Sequence, residues 1–132
     1  MTRIGPIVAA LLLAATAVLA EQPALDSLKW VARPLVVFAD APEHPKFIQQ
    51  MAWIEADPQP LIDRRVVVLT DTDPEANGPL RQRLRPRGFG LVLIDTDGRV
   101  AQRRPLPATV REISSMIDRT PSRRQETGSH RP

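Results

Sequence analysis

An unbroken apolar run, Leu35-Val36-Val37-Phe38-Ala39, leads into Asp40-Ala41-Pro42-Glu43-His44-Pro45 and then into a segment whose apolar residues Phe47, Ile48, Met51, Ala52 and Ile54 recur at three-to-four spacing. A run with no polar alternation is a strand buried on both faces, and such strands belong to sheets covered by helices. Strand, proline-bearing loop and amphipathic helix thus point to a layered α/β domain.

The rest of the chain extends that pattern. Asp57-Pro58-Gln59-Pro60 ends the helix, and Leu61-Ile62-Asp63-Arg64 leads to a second expected buried strand, Arg65 to Thr70, with a β-branched run. Asp71 to Pro79 is rich in turn formers; Leu80 to Arg85 reads as a short helix stopped by Pro86. Phe89 to Ile94 gives a third strand, Asp97-Gly98 a hairpin turn, and Arg99 to Arg104 an antiparallel return. Val110, Ile113, Met116 and Ile117 mark the buried side of a last helix over 108–119.

A parallel strand pair joined by a helical crossover, then an antiparallel hairpin and a closing helix, is a thioredoxin-like arrangement: a mixed sheet of about four strands flanked by helices. In that arrangement the loop after the first strand carries a catalytic dithiol. The whole chain contains no cysteine, so thiolate redox chemistry has no group to perform it.

Residues Met1 to Ala20 have the layout of a cleaved signal peptide, with Arg3, an apolar stretch from Ile4 to Leu19, and small residues Val18 and Ala20 before Glu21. The expected organisation is a signal peptide over 1–20, one domain over 21–121 and a basic flexible tail over 122–132, with a periplasmic or secreted location and no stable membrane anchor after cleavage. Formal charge is +3, but it is unevenly placed. Residues 21 to 118 carry 13 basic and 14 acidic residues, while the segment from Arg119 holds four arginines against Glu126. A neutral body with few aromatics argues against nucleic acid as a partner.

Leu28-Lys29-Trp30, the run Arg33-Pro34-Leu35-Val36-Val37-Phe38-Ala39, the hairpin Val92 to Gly98 and the ending Ile117 to Glu126 together resemble the DUF4174 family of exported bacterial proteins. The residues carrying the likeness are Trp30, Arg33, Pro34, Gly98, Pro121, Arg123, Arg124, Gln125 and Glu126. The resemblance implies a thioredoxin- or peroxiredoxin-like domain, also present in secreted animal matrix proteins, with no established activity. The family often has Met-Pro-Met where this chain has Thr120-Pro121-Ser122.

Candidate contact residues are Asp40, Glu43 and His44 in the loop and Arg123 and Arg124 in the tail. The loop could take a small anion or a peptide carboxylate, but Asp40 and Glu43 are expected to cap the following helix. His44 could carry a proton near neutral pH; no serine, cysteine or second histidine lies near it in sequence. A metal site at Asp40, Glu43 and His44 lacks any ligand spacing signature, and Asp71 to Glu75 departs from a calcium loop because the sixth position is Ala76 and the twelfth Gln82. Arg81, Arg83, Arg85 and Arg87, with Arg103 and Arg104, are expected to form a solvated face paired with local acids, or else an arginine patch for carboxylate or phosphate. Trp30 and Trp53 are expected in the core. No cofactor and no metal are assigned. The leading expectation is a non-catalytic binding or adaptor protein of the cell envelope, its partner an envelope protein or small ligand; the alternative is a thiol-independent enzyme using Asp40, Glu43 and His44.

Overall fold

A computed structural model describes residues 22–128; the expected signal peptide therefore lies outside the described residues. The elements run α1 (Leu25–Leu28), β1 (Arg33–Phe38), α2 (Pro45–Ala56), α3 (Gln59–Asp63), β2 (Val66–Asp71), a 3₁₀ turn (Pro74–Ala76), α4 (Pro79–Leu84), β3 (Gly90–Ile94), β4 (Val100–Arg104), α5 (Val110–Asp118) and α6 (Pro121–Glu126). The sheet order is β2-β1-β3-β4, with β1 and β2 parallel and both other pairings antiparallel.

β1 is central and all six of its residues are buried. Alternation along it divides the core into two layers. Leu35, Val37, Leu91 and Leu93 pack under Ile54 of α2, Leu61 of α3 and Ile113 and Ile117 of α5. Val36, Phe38, Val92 and Ile94 face Leu28 of α1 and Leu84 of α4 on the opposite side. The continuous apolar run of β1 follows from this position between two helical layers.

Two glutamine side chains stand in for backbone. Gln50 is fully buried, and its amide donates to Ala108 O and accepts from Ala108 N, both at 2.9 Å, fastening the chain before α5 to α2. Gln22 forms the same pair with Thr70 O and Thr70 N on the outer side of β2, at 2.8 and 2.7 Å. α5 begins with a capping box between Thr109 and Glu112.

The structure corrects several expectations. β2 is an edge strand in which only Leu69 is buried; its apolar run reads like an interior strand because periodicity does not encode sheet order. Trp30 is 67% exposed, with its backbone in the left-handed region at φ 67, and Trp53 is half-buried. The hydrogen bond from Trp30 N to Thr96 O, 2.6 Å, turns the Trp30 backbone toward the hairpin. The segment expected to be a flexible tail instead forms α6, which starts on Pro121 with Thr120 as its N-cap and packs its Glu126 against Arg33; residues 129–132 lie outside the described residues. Among the described residues no helix is long and apolar enough to cross a membrane.

Candidate functional site at the carboxyl end of β1

β1 ends in buried Phe38 and is followed by buried Ala39, after which Asp40, Pro42 and Glu43 project as exposed residues. The turn closes through His44 N donating to Ala41 O, 3.2 Å. His44 precedes a proline, which biases its backbone to the extended region, and it sits there at φ −60, ψ 129 as the N-cap of α2. Its Nδ1 accepts from Lys46 N at 3.2 Å. The cap is therefore His44, not Asp40 or Glu43 as expected: the extended N-cap geometry falls on the residue next to Pro45, and the acids stand too early. Because Nδ1 is an acceptor, the ring proton of neutral His44 is on Nε2. The half-buried ring stacks on Phe89, with centroids 6.5 Å apart and planes at 28°. Nothing in their spacing joins these two residues; they meet because β3 runs antiparallel to β1 and begins beside its end.

The arginines expected to form one solvated face separate into two groups. Arg81 is buried against the ends of β1 and β2, donating to Asp71 Oδ1 (2.8 Å), Asp71 O (3.2 Å) and Ala39 O (2.8 Å), with its guanidinium 5.4 Å from the Phe38 ring centre. Asp71, which opens the turn-rich segment, is thereby used in the fold. Arg83 pairs with Asp26 across the surface at 2.8 Å. Arg85, Arg87, Arg103 and Arg104 instead line one cleft of about 210 Å³, whose floor includes Phe89. The cleft and the His44 turn thus share a wall. Among the described residues no group of three His, Cys, Asp or Glu side chains could hold a metal ion.

The residues that carry the family likeness gather at the other end of the sheet. Arg33, 1% exposed, donates from both terminal nitrogens to the two oxygens of Glu126 (3.1 and 3.0 Å), to Ser122 Oγ (2.9 Å) and to Arg64 O (2.8 Å). Its Nε is 3.3 Å from Asp95 Oδ1, an ion-pair contact without hydrogen-bond alignment. Ser122 Oγ donates to the same Asp95 oxygen at 2.6 Å. Glu126 also accepts from Arg65 and Arg123. Burial would raise the Glu126 carboxyl, but the hydrogen bonds from Arg33, Arg65 and Arg123 outweigh it and bring the pKa down to about 2. The Arg64 guanidinium beside Asp118 likewise holds that carboxyl below its usual range, against the opposing effect of burial.

Arg123 is therefore drawn inward, to Glu126 at 3.2 Å and toward Asp118 at 3.8 Å, rather than projecting from a tail. Arg124 and Gln125 lie on the exposed side of α6. Pro34 is buried at the base of the cluster, and Gly98 takes φ +86 in the hairpin turn under the Lys29 side chain. This constellation clasps α6 to the body, and each of its three acids, Asp95, Asp118 and Glu126, already has an arginine.

No curated protein sequence matches the chain. Solved structures that match in fold include three at 14 to 16% identity. The reduced 2-Cys peroxiredoxin of Plasmodium vivax aligns over 71% of this chain and 80% of its own, with a TM-score of 0.57 and 15% identity. The mitochondrial 2-Cys peroxiredoxin of Plasmodium falciparum aligns over 80% and 84%, at 0.54 and 16%. A further malarial protein aligns over 66% and 94%, at 0.53 and 14%. These likenesses establish a peroxiredoxin- and thioredoxin-like fold. The sequence profile described as "Domain of unknown function (DUF4174)" matches residues 24–126, from the residue before α1 through the last residue of α6, and the chain belongs to that family.

Proposed function

We propose that this protein is an exported, non-catalytic binding or adaptor protein of the cell envelope, periplasmic or secreted, whose contact surface is the sheet end formed by Asp40, Glu43 and His44, with the His44 ring set on buried Phe89. One observation carries the reading: the place where a thioredoxin-like fold keeps its dithiol holds a helix cap. His44 Nδ1 is engaged by Lys46 N, and neither a thiol nor a hydroxyl stands in the turn from Asp40 to Pro45. What remains exposed is a proline-stiffened turn, the kind of rigid surface that loses little entropy when a partner docks. Export is supported by the signal-like stretch Ile4 to Leu19.

The test is quantitative capture from envelope extract by the purified chain and by an Asp40→Asn, Glu43→Gln, His44→Asn variant, in which asparagine keeps a capping side chain. A partner held by the parent and released by the variant supports the reading. Equal capture by both removes the loop from it.

A further inference from the structure

We propose that the cleft lined by Arg85, Arg87, Arg103 and Arg104 docks an acidic segment of a protein partner. The assignment rests on the reading of this sheet end as a binding surface and names the chemistry that surface takes.

Six arginines of this chain are matched by acids. Arg33, Arg64, Arg65, Arg81, Arg83 and Arg123 each reach a carboxylate within 4 Å. The four cleft arginines reach none among the described residues, and neither do Arg99, Arg111 and Arg119; what sets the four apart is that they line one cleft that no acid lines. The acid that senses one of them is Glu112, whose carboxyl is lowered chiefly by the Thr109 backbone hydrogen bond and least by Arg104. Arg103 and Arg104, consecutive on β4, leave opposite faces of the sheet, Arg103 toward Leu84 O and Arg104 toward Glu112, so that with Arg85 and Arg87 they put positive charge on both sides of the cleft; complementarity here is with a multiply acidic group. The guanidinium fork suits paired contacts to carboxylate oxygens.

Size decides between a small molecule and a protein segment. At about 210 Å³ the cleft is below the roughly 300 Å³ at which pockets begin to enclose drug-sized ligands. It has room for acidic side chains presented from outside. Its walls are fixed beforehand: Pro86 and Pro105 stiffen the rim, Phe89 is buried, and Arg103 Nη1 is held by Leu84 O at 2.9 Å. Arg85 is the αL cap of α4, its N–H bonded to Arg81 O at 2.8 Å. A preorganised site of this kind keeps more of its contact energy.

The test is fluorescence anisotropy with a labelled glutamate-rich peptide, its glutamine counterpart and vesicles containing phosphatidylserine. The proteins are the full chain, Arg85→Gln with Arg87→Gln, and, as a charge-matched control, Arg111→Gln with Arg119→Gln, both exposed on or beside α5. Both cleft residues are exposed, and Arg104→Glu gives an independent second variant. The expected result is salt-sensitive binding of the glutamate peptide alone, weakened about tenfold or more by either cleft variant and unchanged in the control. Equal weakening in the control reduces the effect to net charge and overturns the proposal, as does unchanged binding in the cleft variants. Vesicle binding without peptide binding reassigns the cleft to a membrane surface. The titration reads the cleft alone, so a failed loop-capture experiment leaves its outcome independent.

Discussion

Arg33 and Glu126, 93 residues apart, form a two-point ion pair in which both terminal guanidinium nitrogens meet both carboxylate oxygens. Arg33 is 1% exposed and Glu126 about a quarter exposed by side chain, so the pair joins a buried strand residue to a surface helix. Removing one partner of a buried pair strands the other charge. Glu126→Ala is expected to lower the unfolding free energy by about 3 kcal/mol, and Glu126→Gln by less, since an amide still accepts one hydrogen bond. Urea denaturation of both variants checks this; a loss below about 0.5 kcal/mol, the range of ordinary surface changes, would mean that solvent already dissipates the pair.

The same carboxylate sets an acid limit. With its pKa lowered from the ordinary 4.5 to about 2, Glu126 contributes stability that is fully present above about pH 4.5 and is lost as pH falls toward 2. Asp118 and Glu112 are shifted in the same direction. After allowing for solvent screening at a quarter-exposed side chain, the Glu126 share is on the order of 1–2 kcal/mol. Thermal midpoints measured from pH 6 to pH 2 should fall for the parent, and Glu126→Gln should flatten part of that fall. Identical slopes would place the acid sensitivity elsewhere.

Much of the fold was legible because its signals are local. Leu35 to Ala39 announced a strand buried on two faces, and the spacing of Phe47, Met51 and Ile54 announced α2. What was not legible depended on partners distant in sequence. Arg123 counts as one of a run of tail charges until Glu126 and Asp118 are seen around it. Trp30 reads as core by its chemistry, and a backbone bond to Thr96 exposes it. At the candidate site the strand-to-helix turn and His44 are readable, but the sequence favours the acids Asp40 and Glu43 as the cap because it does not show which residue takes the extended N-cap backbone. Phe89 had no signal at all, since only the antiparallel pairing of β1 with β3 brings it to His44.

Gln50 supplies a test of the interior. Leucine has similar volume, but in Gln50→Leu the Ala108 N–H and C=O lose their buried partners. With desolvation of each of the two orphaned groups at about 1–3 kcal/mol, the expected loss is about 2–6 kcal/mol. Hydrogen exchange at Ala108, slow in the parent, should accelerate markedly in the variant. Unchanged exchange would mean that α5 holds its position without this pair.

Arg85 and Gly98 offer opposed tests of left-handed backbone. At Arg85, φ 49, a side chain occupies a conformation costing roughly 1–2 kcal/mol for an L-residue, while glycine costs about 0.5–1 kcal/mol in unfolded-state entropy. Arg85→Gly should therefore stabilise the fold slightly, by up to about 1 kcal/mol, while weakening attachment of the glutamate peptide. Gly98, φ +86, has the reverse balance: an added Cβ meets the Lys29 chain at ordinary contact distance, 3.6 Å, so backbone strain dominates and Gly98→Ala should destabilise by about 1 kcal/mol. Denaturation curves measured beside peptide titrations separate the two properties at Arg85. Higher stability with weaker binding identifies it as a strained residue with a contact role; weaker binding accompanied by lower stability would show that the arginine side chain supports the fold itself.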